Sequence, residues 1–103
     1  MKITKVTDDG IYFDNGNYIL DCHDVMCCEY NYADYSQLEE LALETEFDEE
    51  LIFEEVKYGG FRFGNEGKMF FVPCYSEQNG YYSTDVNIIY NGKKVLEVDA
   101  PLT

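Results

Sequence analysis

Ser36-Gln37-Leu38-Glu39-Glu40-Leu41-Ala42-Leu43-Glu44-Thr45 is the stretch on which the fold class turns. Ser36 and Glu39 have the Ser-x-x-Glu spacing of a capping box, in which a hydroxyl and a carboxylate each accept an otherwise unpaired backbone N–H at a helix start. Leu38, Leu41, Ala42 and Thr45 then recur at the spacing of one helical face. Glu39, Glu40, Glu44 and Glu46 fall opposite them. The pattern predicts a helix with an apolar side for a core and an acidic side for solvent.

On either side of this stretch the sequence reads as strands and turns. Ile3 to Val6 alternates polar and apolar residues. Ile11 to Phe13 and Tyr18 to Leu20 flank Asp14-Asn15-Gly16-Asn17, where Asn-Gly suits the positive φ angles of a tight hairpin. Cys22 to Ala33 has no clear period and reads as an irregular connection, with helix open to part of it. Leu51 to Tyr58 reads as a strand that Gly59-Gly60 breaks, and Phe61 to Phe63 as a short strand ended by Gly64. Met69 to Tyr75 is apolar but contains Pro73, which cannot donate to a ladder and therefore suggests a sheet edge or a bulge. Asn79-Gly80 marks a turn. Val86 to Tyr90 and Val95 to Val98 form a last hairpin around Asn91-Gly92. These elements predict an α+β fold: an antiparallel sheet built from hairpins, with one main acidic helix packed on it. With 103 residues, the chain is expected to form a single domain, 1–103.

Charge narrows the function classes. Twenty-one acids against seven bases leave a net charge of −14. From Val6 to Val56 there is no Lys or Arg, yet sixteen of the acids lie there. Such a one-signed field repels phosphate backbones and anionic lipids and attracts basic protein grooves. Direct nucleic-acid binding lacks its basic footprint, and no apolar run reaches bilayer length. Met1 to Thr7 has no signal-peptide core, so the expected compartment is the cytoplasm. The expected assembly is a monomer.

The acidic run also weakens a helix. Glu40 and Glu44 repel each other at i,i+4, which costs about 0.2–0.5 kcal/mol. Carboxylates near a helix C-terminus oppose the macrodipole by about 0.3–1 kcal/mol each. The run reads either as a solvated face or as an anionic mimic of nucleic acid, with Glu39, Glu40, Glu44, Asp48, Glu49 and Glu50 as the partner-binding residues. No general acid–base pair can be singled out among so many carboxylates.

Cys22-His23-Asp24-Val25-Met26-Cys27-Cys28-Glu29 places three thiols beside the only histidine. Thiolate and imidazole are ligands for zinc, and Cys74 could close a four-ligand site. The predicted ligands are His23, Cys27, Cys28 and Cys74, with Cys22 in reserve, around a structural zinc. The alternative reading makes the cysteines small buried hydrophobes. A catalytic Cys–His pair is a third reading, but neighbouring carboxylates disfavour the thiolate. The chain is therefore read as a non-enzyme.

Gly59-Gly60-Phe61-Arg62-Phe63-Gly64 lacks the Lys-Ser or Lys-Thr of a phosphate loop. Tyr75, Tyr81 and Tyr82 with Arg62 could instead line a pocket that stacks a nucleotide base. That is the alternative function, a sponge for a nucleotide defence signal.

His23-Asp24-x-x-Cys27-Cys28-Glu29, with Gly60-Phe61-Arg62 and Pro73-Cys74-Tyr75-x-x-Gln78-Asn79-Gly80-Tyr81-Tyr82-Ser83, resembles a family of small proteins of unknown function encoded by phages and prophages of low-GC bacteria. The resemblance runs from the first hairpin to Ser83. Within that setting, size, acidity and the metal-ligand set are similar to those of anti-CRISPR proteins directed against type II systems. The resemblance implies a bacterial host cytoplasm and a CRISPR effector nuclease as protein partner. It supports His23, Cys27, Cys28 and Cys74 as a set. The implied function is blockade of target-DNA loading through the acidic surface, since such effectors hold nucleic acid in positively charged channels.

Overall fold

The computed structural model describes residues 1–22, 30–57, 59–77 and 84–102. The chain opens with β1 (Ile3–Val6), β2 (Gly10–Phe13) and β3 (Tyr18–Cys22), and then forms β4 (Tyr30–Ala33). A single 3-10 turn (Tyr35–Gln37) and a short helix α1 (Glu40–Glu44) follow. The remainder is β5 (Ile52–Val56), β6 (Gly60–Asn65), β7 (Lys68–Glu77), β8 (Asp85–Tyr90) and β9 (Lys93–Asp99). The strands form two antiparallel sheets, one in the order β1-β2-β3-β8-β9 and the other in the order β4-β7-β6-β5. Among the described residues, no helix is long and apolar enough to cross a membrane.

Turn chemistry accounts for the hairpins. Asn91 and Gly92 take positive φ angles of 53° and 83°, the two-residue loop whose twist matches its flanking strands. The Asn91 side chain accepts the Tyr18 N–H at 2.9 Å and so ties the loop to β3. At the first hairpin Gly16 has φ 91°, and the Asn17 N–H donates to Asn15 Oδ1 at 3.1 Å. Both hairpins stand where Asn-Gly predicted them. Tyr30–Ala33, expected within an irregular connection, is instead a strand paired with β7.

The main correction concerns the helix. The fold is mostly antiparallel β, not α+β, and no helix of seven or more residues occurs among the described residues. The capping box fails because Ser36 is already engaged. Its N–H and its hydroxyl both donate to Asp34 Oδ1, at 3.1 and 2.5 Å, which caps the 3-10 turn instead. Leu38 and Glu39 are then extended, with ψ of 134° and 155°. α1 stops at Thr45, also extended, because Phe47 must reach the core. Phe47 packs against Phe13, Phe63 and Phe70 at centroid distances of 6.0, 5.9 and 5.7 Å. Burying a Phe is worth roughly 1.5–3 kcal/mol, whereas the best helix formers gain only a few tenths of a kcal/mol per residue. Of the predicted apolar face, Ala42 is buried while Leu41 is 63% exposed.

Pro73 is the second correction. β7 is not an edge strand; it lies between β4 and β6. Lys68 to Pro73 pair with β6 on one side, and Cys74 to Glu77 pair with β4 on the other. The missing proline N–H falls where the strand changes partner. The Pro73 carbonyl accepts the Asp34 N–H at 2.8 Å. Beyond the change of partner, the edge that β6 leaves is taken up by the C-terminal segment, whose Pro101 carbonyl accepts the Ser76 N–H at 2.9 Å.

One core joins the two sheets. Ile11, Ile19, Val86, Ile88 and Val98 come from the five-stranded sheet, and Phe61, Phe63, Val72 and Cys74 from the other. A buried polar pair lies in it: the Ser76 hydroxyl donates to Asn31 Oδ1 at 2.5 Å, directly across β7 and β4. Asn31 also donates to the Asp85 carbonyl at 3.4 Å, linking the pair to β8. Buried polar groups satisfied in this way fix one alignment of the sheets.

Candidate functional site

Phe47 governs where the acids stand. Its ring is held in the core, so the residues before and after it are forced to the surface. Glu39, Glu40, Glu44, Asp48, Glu49 and Glu50 are all exposed. Glu40 and Glu44 project from α1, and Glu39 precedes it in extended backbone.

The Asp48–Glu50 loop is held through its backbone. Asn65 Oδ1 accepts the Asp48 N–H at 2.7 Å, and Asn65 Nδ2 donates to the Glu50 carbonyl at 3.3 Å. The Tyr90 hydroxyl donates to the Glu49 carbonyl at 2.8 Å. Asn15 donates to the Glu49 carboxylate at 3.0 Å. Asp48, Glu49, Glu50 and Glu66 surround Ile52 and Asn65 in an open depression of about 430 Å³. Glu66 was missed by the sequence reading because it lies outside the base-free run; the β6–β7 turn brings it across to the loop. Glu39 belongs to a different depression, of about 260 Å³, formed with Leu38, Arg62, Met69 and Phe71. The six predicted residues therefore divide between α1, this groove and the Asp48–Glu50 loop.

Among the described residues, ion pairs engage Glu46, Glu54 and Glu97, and none engages those six carboxylates. Glu46 pairs with the Met1 ammonium at 2.9 Å and raises its pKa, first through that hydrogen bond. Lys94 pairs with Glu97 at 2.8 Å and lowers its pKa, again chiefly through the hydrogen bond.

Arg62 pairs with Glu54 across β5 and β6. Its neighbour on β7 is Phe71, four residues along the strand from Tyr75. Tyr75 packs instead on Tyr32, at 5.6 Å between centroids. Arg62 and Tyr75 are thus not brought together as a nucleotide pocket, and Tyr81 and Tyr82 lie outside the described residues.

Of the predicted zinc ligands, His23, Cys27 and Cys28 lie outside the described residues, and Cys22 ends β3. Cys74 is fully buried on the inner face of β7, opposite Ala33. Burial, and then the Asp21 and Glu55 carboxylates, push its thiol up to about 12. In this setting Cys74 fills the place of a small core residue. Among the described residues, no three His, Cys, Asp or Glu side chains converge as a metal site.

Tyr35 lies beside Cys74. Its hydroxyl is buried, and burial followed by the Asp21 charge raises its pKa above the ordinary tyrosine range. Asp21 also accepts the Ala33 N–H at 3.0 Å.

Comparison with family models, curated proteins and solved structures finds no match to this chain.

Proposed function

We propose that this protein works by binding another protein, presenting carboxylates to a basic groove that otherwise holds nucleic acid. The observation that carries the reading is the Asp48–Glu50 loop. Its backbone is held by Asn65 and Tyr90, while the Asp48 and Glu50 side chains face solvent without an ion-pair partner among the described residues. Preorganised charges lose little freedom on docking. A run of carboxylates that outnumbers its neighbouring cations, the Met1 ammonium and Arg62, draws Lys and Arg at long range. Glu39, Glu40 and Glu44 extend the same field along the chain.

The partner to test first is a type II RNA-guided nuclease, the target that the motif resemblance names. Its positively charged channel is of the required kind. Target-DNA binding by the purified effector–guide complex should fall when this protein is added. The effect should weaken as salt is raised, because the attraction is screened within about 8–10 Å at ordinary ionic strength. Undisturbed DNA binding and cutting would remove this target. Inhibition that survives changing Asp48, Glu49 and Glu50 together to Lys would overturn the acidic-surface reading itself.

A further inference from the structure

The outer face of β5, β6 and β7 adjoins both the Asp48–Glu50 depression and the groove that Glu39 lines. Phe53, Phe63 and Phe70 stand opposite one another in register and belong to the core or pack against it. By strand alternation the adjoining rows point outward. One row is Ile52, Gly64 and Met69; the next is Glu54, Arg62 and Phe71. Ile52 is 42% exposed and Phe71 43% exposed. Gly64, in the middle of its row, is buried and carries no side chain. Its φ is 148°, and a Cβ there would stand 2.0 Å from the Lys68 carbonyl oxygen. A side chain at this position would collide with the β7 backbone, so β6 and β7 approach closely here.

The two ends of the Ile52–Gly64–Met69 row line two different depressions. Ile52 lies among Asp48, Glu49, Glu50 and Glu66. Met69 lines the groove that has Glu39 on its wall. The ends are two strand spacings apart, roughly 10 Å. The cations that adjoin the floor are Arg62, already paired with Glu54, and Lys68 at the hairpin end.

We infer that this face is the apolar floor of the docking surface, and that it takes a bulky apolar side chain from a partner segment flanked by Lys or Arg. The inference rests on the acidic-surface reading above. Charge complementarity selects the occupant. A second copy of the chain also carries −14, and an anionic lipid surface is likewise repelled, whereas a basic segment places its cations at Asp48, Glu49, Glu50 and Glu66 on one side and at Glu39 on the other. An apolar anchor ringed by polar contacts is the usual arrangement of an interface hot spot.

The test uses the full chain and two short synthetic peptides, each rich in Lys and Arg, one with a central Phe and the other with Ala in its place. Binding is followed by amide chemical shifts in an NMR titration. The Phe peptide should shift Met69, Phe71 and Leu38, and the Ala peptide should bind about tenfold more weakly, as expected for loss of one buried side chain. Phe71→Ala should reduce the Phe peptide to the level of the Ala peptide. Leu102→Ala, at an exposed apolar residue elsewhere, should change nothing. Equal affinity for both peptides, with shifts confined to 48–50 and 66, would overturn the floor and leave the acidic docking standing. No shift with either peptide would overturn both. Unchanged Phe-peptide affinity after replacing its Lys and Arg by Ser would overturn the basic occupant.

Discussion

The Asn65 side chain lies between the Asp48 N–H, which it accepts at 2.7 Å, and the Glu50 carbonyl, to which it donates at 3.3 Å. A single amide at the end of β6 thus substitutes for a strand partner along the acidic loop. Asn65→Ala should loosen that loop while leaving the core intact. The expected cost is about 0.5–1.5 kcal/mol per hydrogen bond removed. Hydrogen exchange at the Asp48 amide should speed up, with the β2 and β8 core amides unchanged. Unaltered protection at Asp48 would show that Asn65 does not hold the loop.

Phe47 and Leu41 make opposite predictions under the two readings of the Ser36–Thr45 stretch. In the observed fold, Phe47 is buried among three aromatic rings and Leu41 is 63% exposed. Phe47→Ala should cost about 3–5 kcal/mol. Leu41→Ser should stay within about 0.5 kcal/mol. Urea unfolding of the two variants measures both. A helix packed by its Leu38–Leu41–Ala42 face would give Leu41 the larger loss.

Gly64→Ala tests the close approach of β6 to the β7 backbone. The substitution meets both the positive φ and the Lys68 carbonyl. Strain of this kind costs roughly 1–3 kcal/mol. Thermal unfolding should show a lower Tm, whereas Gly16→Ala should show a smaller drop, since Gly16 has positive φ but nothing within 4 Å of its Cβ position.

Cys74 gives the chain an alkaline signature. Its thiol moves from 9.0 to about 12 on folding, first through burial and then through the Asp21 and Glu55 charges. The native state therefore keeps a proton that the unfolded state loses. The sign follows: above pH 9 the unfolded chain binds fewer protons, and stability falls with rising pH until about 12. Cys74→Ala should lower stability at neutral pH by removing buried volume, and should flatten the decline above pH 9. The same variant checks the zinc reading. Metal content that falls in Cys74→Ala would place this thiol in a site; unchanged content would confine any site to the other ligands.

Local chemistry made part of this legible. Asn15-Gly16 and Asn91-Gly92 specify hairpins because a few residues' own φ preferences suffice. The six solvent-facing carboxylates were also legible, since isolated charges stay in water unless paired. The Ser36–Glu39 signal failed because the same serine had a nearer acceptor in Asp34, and because Phe47 gains more by burial than the helix gains by continuing. Pro73 was misread because its meaning depends on which neighbour β7 has at that residue, a matter of pairing and not of sequence.

Composition, charge placement and turn residues are local quantities, and the sequence by itself determined them: an anionic first half, paired strands around Asn-Gly, and carboxylates left in water. Only the tertiary structure decided that β7 changes partner at Pro73, that Asn65 holds the acidic loop, and that Ile52, Gly64 and Met69 share a row. Those relationships join residues distant in the chain. Their energies come from burial and cross-strand register, which no local preference encodes.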